Sequence, residues 1–168
     1  MASATCRPSR TLPNLRALEL YQVRRLDTGD LDSLGDCASL EVVSLGALRN
    51  VESLQALARR PAETLRLLTL ERLTGLATLA DLEACTQLEE LGLYESRPAD
   101  RRLDLLLQCP SLNRLVVGDV YPDDQVDLLR TAFRGDTLVL RGEAIRGDLA
   151  DVLVRWRAPL DRQLEALS

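Results

Sequence analysis

The sequence predicts an α/β fold built from about six copies of one unit, each a short parallel strand followed by a helical return. Three observations carry this. Leucine supplies 38 of the 168 residues, whereas isoleucine occurs once, at Ile145. Six segments read Leu-x-x-Leu-x-Leu or a close variant, starting at Leu15, Leu40, Leu65, Leu88, Leu112 and Gly135, which are 25, 25, 23, 24 and 23 residues apart. Between those segments, apolar residues recur in the same register from one copy to the next.

The strands come first in each copy. Leu15-Leu18-Leu20, Leu40-Val43-Leu45, Leu65-Leu68-Leu70, Leu88-Leu91-Leu93, Leu112-Leu115-Val117 and the degenerate Gly135-Leu138-Leu140 end in a period-two alternation. That alternation points the leucines to one face and the intervening residues to the other. The returns follow a different period. Leu73, Leu76, Leu79, Leu82, Cys85 and Leu88 recur every three residues, the spacing of a 3₁₀ or tight α turn with one buried edge. Three residues before the starts stand Leu12, Cys37, Ala62, Cys85, Cys109 and Ala132. Nine and six residues before them stand Leu31 and Leu34, Leu79 and Leu82, Leu103 and Leu106, and Val126 and Leu129. In the third copy this pair shifts two residues earlier, to Leu54 and Leu57, which accommodates the extra length around Arg59-Arg60-Pro61.

Over residues 12–143 this pattern resembles the leucine-rich repeat family, closest to its short-repeat type of about 22 residues found in intracellular and bacterial proteins. The resemblance implies a right-handed α/β solenoid with a parallel sheet on its concave face and helical turns on its convex face. It also implies that the concave face is the ligand surface. One column departs from the family: where Asn or Cys usually caps the loop backbone, this chain has Val23, Leu48, Leu73, Ser96 and Val120.

The ends read differently. Residues 1–11 form a short basic tail. Residues 144–168 are expected to cap the last repeat with helices, Asp148 serving as N-cap for a stripe of Leu149, Val152, Leu153 and Trp156. A break at Ala158-Pro159 precedes a second stripe, Leu160, Leu164 and Leu167. Nothing comparable precedes Leu12, so either the tail folds over the first repeat or that edge is an association surface.

Composition excludes several chemistries. Histidine is absent, which removes imidazole-activated nucleophiles and imidazole metal sites. All 21 cations are arginine, and the net charge of -5 with 3% aromatics argues against a nucleic-acid binder. The nine glycines form no phosphate-cradling motif. Of the four cysteines, Cys37, Cys85 and Cys109 share one repeat column and read as core thiols, while Cys6 lies in the tail. Without an export signal or an 18-residue apolar run, the chain is expected to be cytoplasmic, off the membrane, and reduced. Its exclusive use of arginine suggests a GC-rich bacterial gene.

The candidate site is the sheet face opposite the leucines. Its three columns are Ala17, Val42, Leu67, Glu90, Arg114 and Thr137; Glu19, Ser44, Thr69, Gly92, Val116 and Val139; and Tyr21, Gly46, Glu71, Tyr94, Gly118 and Arg141. Two tyrosines share a column beside what is expected to be an exposed apolar step, Val42 and Leu67. With the charges Glu71, Glu90, Arg114 and Arg141 around them, they resemble a binding hot spot with a charged rim. The competing reading is scattered surface residues without function. The carboxylates Glu19, Glu71, Glu90 and Glu95 lack an enclosing pocket, so no metal or other cofactor is expected. Arg16, Glu41, Arg66 and Glu89 alternate in sign at one repeat position, as inter-repeat ion pairs would.

The expected function is therefore a non-enzymatic protein-protein interaction module, monomeric, whose acidic rim favours a basic protein partner. Alternatives are a structural or regulatory subunit of a larger assembly, or an immunity-type inhibitor of a toxin, associating through the uncapped first repeat. A recruiting piece for an enzyme whose catalytic domain lies elsewhere is a further alternative.

Overall fold

The computed structural model of the protein describes residues 14–147. Among the described residues seven strands form one sheet in chain order: β1 Ala17–Tyr21, β2 Val42–Gly46, β3 Leu67–Glu71, β4 Glu90–Tyr94, β5 Arg114–Val117, β6 Thr137–Leu140 and β7 Glu143–Arg146. The first six are parallel and pair with the copy before and after at the repeat offset. Leu18, Val43, Leu68, Leu91, Leu115 and Leu138 stand side by side across the sheet. Equivalent leucines therefore meet equivalent leucines, and a residue type that fits one copy fits all.

The returns are helical and lie across the core from the sheet. They are 3₁₀ helices at Gly29–Asp36, Arg60–Glu63, Ala80–Ala84 and Asp104–Gln108, and one α-helix, α1, at Asp123–Ala132. Every-third-residue leucines select the 3₁₀ form because its three-residue turn stacks i and i+3 on one edge. Leu79 and Leu82, and Leu103 and Leu106, are all buried there. The second return, between β2 and β3, carries its 3₁₀ helix at Arg60–Glu63, with the buried Pro61 in its first turn. In α1, Val126 and Leu129 fill the same two core positions from a full α-helix.

One continuous core of leucines runs between sheet and returns. Cys37, Cys85 and Cys109 lie within it as free thiols. Cys85 and Cys109 donate through Sγ to the carbonyls of Leu57 (3.7 Å) and Leu82 (3.5 Å) in the preceding return. Burial pushes the Cys85 thiol up to about 12, with Cys109 and Asp81 adding to it, and the Cys109 thiol up to about 11, with Glu83 adding to it. At β1 the core is thinner: Leu15, Leu18 and Leu20 are only partly buried, and Tyr21 and Val23 are exposed.

The apolar column expected in place of the polar caps is present but uneven. Leu48 and Leu73 are fully buried, and Val23 is exposed. Ser96 retains a capping role, its buried Oγ accepting from the Leu73 N–H of the preceding copy at 3.1 Å. Elsewhere other side chains bond backbone across the repeat boundary. The Leu54 N–H donates to Asp81 Oδ2 (2.9 Å) and the Leu103 N–H to Gln125 Oε1 (2.9 Å).

Five of the six parallel strands are followed directly by a left-handed residue: Gln22, Ala47, Arg72, Glu95 and Arg141, with φ between 50° and 56°. None is glycine, so nothing in composition marks the turn. After β6, Arg141 (φ 53°) and Gly142 (φ 77°) form a two-residue reversal with both φ positive, the geometry of a tight hairpin. It returns the chain as β7, antiparallel to β6. The cap was expected from residue 144, its first helix from Asp148. Its first residues, 144–146, belong to the last strand of the described sheet, because this turn commits them to pairing. The expected helix from Asp148, the second stripe and the tail 1–11 lie outside the described residues.

Candidate functional site

The face of the sheet away from the core is laid out by register. Its first column begins with Ala17, Val42 and Leu67, which pack into a small cluster, Val42 and Leu67 each only 7% exposed. This corrects the exposed apolar step expected there. In-register parallel strands about 4.8 Å apart place same-column side chains flank to flank, so facing away from the core does not mean facing water. Glu90, expected on the rim, is likewise buried. It accepts from Arg114 Nη1 of the next strand at 2.8 Å, and the two side chains are 5% and 20% exposed. The second carboxylate oxygen of Glu90 is buried with no hydrogen-bond partner among the described residues.

The last column, at the strand ends, holds the site. Tyr21, Gly46, Glu71 and Tyr94 are register partners on β1 to β4. Tyr21 lies across β2 because Gly46 has no side chain; a Cβ there would run into the ring. Its hydroxyl thereby reaches two strands away, donating to Glu71 Oε1 at 3.2 Å. Arg72 completes the group: its guanidinium donates to the Tyr21 hydroxyl and to Glu71 Oε1 (2.7 Å), 5.6 Å from the Tyr21 ring centroid. Tyr21 is still 42% exposed, but its polar atom is committed within the chain.

Tyr94 leans the other way, its ring packed against Val116 of β5 and Val139 of β6. Burial, and next the Glu71 carboxylate, push its ionisation well above the usual tyrosine range. Beside it opens a groove of about 780 Å³ lined mostly by apolar surface from Thr69, Glu71, Tyr94, Glu95, Gly118, Asp119 and Val120. Glu95 and Asp119 are exposed at its rim, and neither has an ion-pair partner among the described residues. Gly118 keeps β5 close, since a Cβ there would stand 3.3 Å from the Leu93 carbonyl oxygen. A second depression, of about 430 Å³, lies between the β5 and β6 approaches and the end of α1, among Cys109, Pro110, Asn113 and Phe133.

Tyr21, Glu71 and Tyr94 are thus brought together. Val42 and Leu67 lie one strand length away, roughly 13 Å at 3.3 Å per residue, in a buried patch. Glu90 and Arg114 form a closed pair there. Arg141 turns from the face to hold α1, donating to Asp123 Oδ1 (2.6 Å) and to the Tyr121 carbonyl (3.0 Å). Arg72, Asp119 and the position of Glu95 on the groove escaped the sequence reading. They follow the strands, at or just beyond turns whose conformation the sequence does not announce. The sign alternation closes as two separate pairs, Arg16–Glu41 (2.6 Å) and Arg66–Glu89 (3.3 Å), all partly exposed.

Among the described residues, no three His, Cys, Asp or Glu side chains gather as a metal ion would require, and no helix is long and apolar enough to cross a membrane. No family model, no curated protein and no solved structure matches the chain.

Proposed function

We propose that the chain is a leucine-rich repeat solenoid that works as a non-enzymatic protein-binding module in the bacterial cytoplasm. The fold reading is supported by parallel strands that pair in register every 23–25 residues, with a helical return between each strand and the next. The observation that carries the functional reading is the Tyr94 groove, an aromatic and apolar hollow with a carboxylate rim at the strand ends. A rigid sheet presents this surface preformed, so little ordering entropy is lost when a partner docks. The test is affinity capture from a lysate of the source organism. Wild type, a Tyr94→Ala with Glu95→Gln variant, and Glu83→Gln on the opposite side serve as bait. A protein retained by the first and third baits and lost from the second supports the reading; one retained equally by all three overturns it.

A second reading, assembly through the first repeat, is favoured by the half-buried Leu15, Leu18 and Leu20 and the exposed Val23 at the β1 edge. Sedimentation of a monomer at tens of micromolar would reject self-assembly there.

A further inference from the structure

The first column of the sheet's outer face is covered more completely than its own strands can manage. Ala17, Val42, Leu67, Glu90 and Thr137 are each 8% exposed or less, and the Arg114 side chain between the last two is mostly covered as well. Neighbours along such a row close the flanks of a side chain but stand no taller than it does, so its tip stays open unless something lies across the row. The cluster of Ala17, Val42 and Leu67 gathers no further apolar side chain among the described residues. The second Glu90 oxygen is out of contact with solvent and has no hydrogen-bond partner among the described residues, whereas on an open face water would reach it. In the middle column the cover fades with distance from β6. Val139 and Val116, which Tyr94 also flanks, are buried, Thr69 and Ser44 are half-buried, and Glu19 is exposed.

The chain leaves the described residues at one end of this row. β7 runs back toward the start of β6, and Arg146 fastens its end, Nη1 donating to the carbonyls of Gly135 (2.8 Å) and Phe133 (3.3 Å). Gly147 then turns with φ 76° against Thr137. A Cβ there would stand 2.6 Å from Thr137 Oγ1, so the turn and the close approach both call for glycine. We propose that residues 148–168 continue from this turn across the outer face, along the first column from Thr137 toward Val42, as an intramolecular strap. Five strand spacings of about 4.8 Å make the row roughly 24 Å long. Residues 148–168 on a helical path of about 1.5 Å per residue reach roughly 31 Å, enough to cross it. Their apolar stripes, Leu149, Val152, Leu153 and Trp156, then Leu160, Leu164 and Leu167, supply the surface that Leu67 and Val42 need above them. Arg155 and Arg157 beside Trp156 supply donors suited to a buried carboxylate. The strap takes up the first column and leaves the strand-end column, roughly 13 Å away, outside it. The inference therefore stands apart from the protein-binding reading of the Tyr94 groove.

The experiment is photo-crosslinking of the full chain with p-benzoyl-phenylalanine in place of Trp156, read by mass spectrometry. On the helical path position 156 lies about 14 Å beyond Gly147, over β3 and β4. Intramolecular crosslinks to Leu67, Thr69 or Glu90 are expected. Crosslinks to the returns, crosslinks to a second copy, or none at all would overturn the proposal. The same probe in place of Thr11 tests the other end of the chain. Crosslinks from there to Val42 and Leu67, with none from position 156, would give the row to residues 1–13 and overturn it too. The unmodified chain offers an independent reading through Trp156, its sole tryptophan. Acrylamide should quench it about threefold or more weakly in the native than in the urea-unfolded chain, as for a ring packed on apolar surface. Leu67→Glu should raise quenching toward the unfolded value while the far-UV circular dichroism stays native. Should Leu67→Glu unfold the chain, Thr69→Glu, at a half-buried position beside it, makes the same test. Quenching at the unfolded level in wild type, or equal protection in wild type and the folded variant, would overturn the proposal. Either failure leaves the reading of the Tyr94 groove standing.

Discussion

Removing Arg114 should be the most destructive single change on the sheet's outer face. Arg114→Leu leaves the Glu90 carboxylate, whose side chain is 5% exposed, without the one partner its Oε1 has, beside an Oε2 that already has none among the described residues. Breaking a buried ion pair from one side costs about 3–5 kcal/mol, most of it the desolvation of the charge left behind. The Arg66–Glu89 pair, one strand earlier and about half exposed, provides the control. Losing an exposed pair costs about 0.2–1 kcal/mol. Urea unfolding of wild type, Arg114→Leu, Arg66→Leu and the double change Glu90→Leu with Arg114→Leu reads all four at fixed pH. The double variant should recover most of the loss, since two apolar side chains next to Leu67 replace a pair that was itself no great source of stability. Equal, sub-kilocalorie effects for Arg114→Leu and Arg66→Leu would refute the reasoning, as would a double variant as unstable as the single.

Other outcomes follow from the turns, the glycines and the thiols. Ala47→Gly, at φ 53°, should be neutral or stabilise by up to about 1 kcal/mol, the relief of about 1–2 kcal/mol of left-handed strain exceeding the added chain entropy; thermal melts check it. Gly135→Ala drives a Cβ into the Asn113 carbonyl and should cost about 1–3 kcal/mol, whereas Gly46→Ala meets only the movable Tyr21 ring and should cost less. Urea midpoints of the two variants should rank in that order. Cys85 and Cys109 should resist iodoacetamide at pH 8 in the native protein and react once it is unfolded in urea, as peptide mapping would show. Because their folded-state pKa values are raised, the unfolded chain loses these protons first. Stability from these thiols should therefore be complete below the ordinary thiol range, near 9, and fall as pH rises through 11 to 12.

The core was legible because it repeats. Leu68, Leu91 and Leu115 announce themselves by position, and the register that pairs them equals the spacing read from the chain. Cys85 and Cys109 could be assigned to the interior for the same reason. Legibility ended where position alone does not decide exposure. Val42 and Leu67 alternate correctly onto the outer face, yet flanking side chains cover them. Glu90 reads as a surface acid until Arg114 on the next strand is seen to close over it. The strand β7 was hidden by an Arg-Gly turn in place of the stronger Asn-Gly signal. Arg72 and Glu95 could not be placed on the site because non-glycine residues seldom adopt the left-handed turn that carries them there.

The central claim, that partners dock at the Tyr94 groove, is tested most directly by carboxyl footprinting of the complex with a captured partner. Carbodiimide labelling with glycine ethyl ester, read by mass spectrometry, compares Glu95 and Asp119 at the groove with Glu83 and Asp127 on the returns, all four exposed in the free chain. Binding should suppress labelling of the first pair and leave the second unchanged. Protection of Glu83 and Asp127 with full labelling of Glu95 and Asp119 would contradict it.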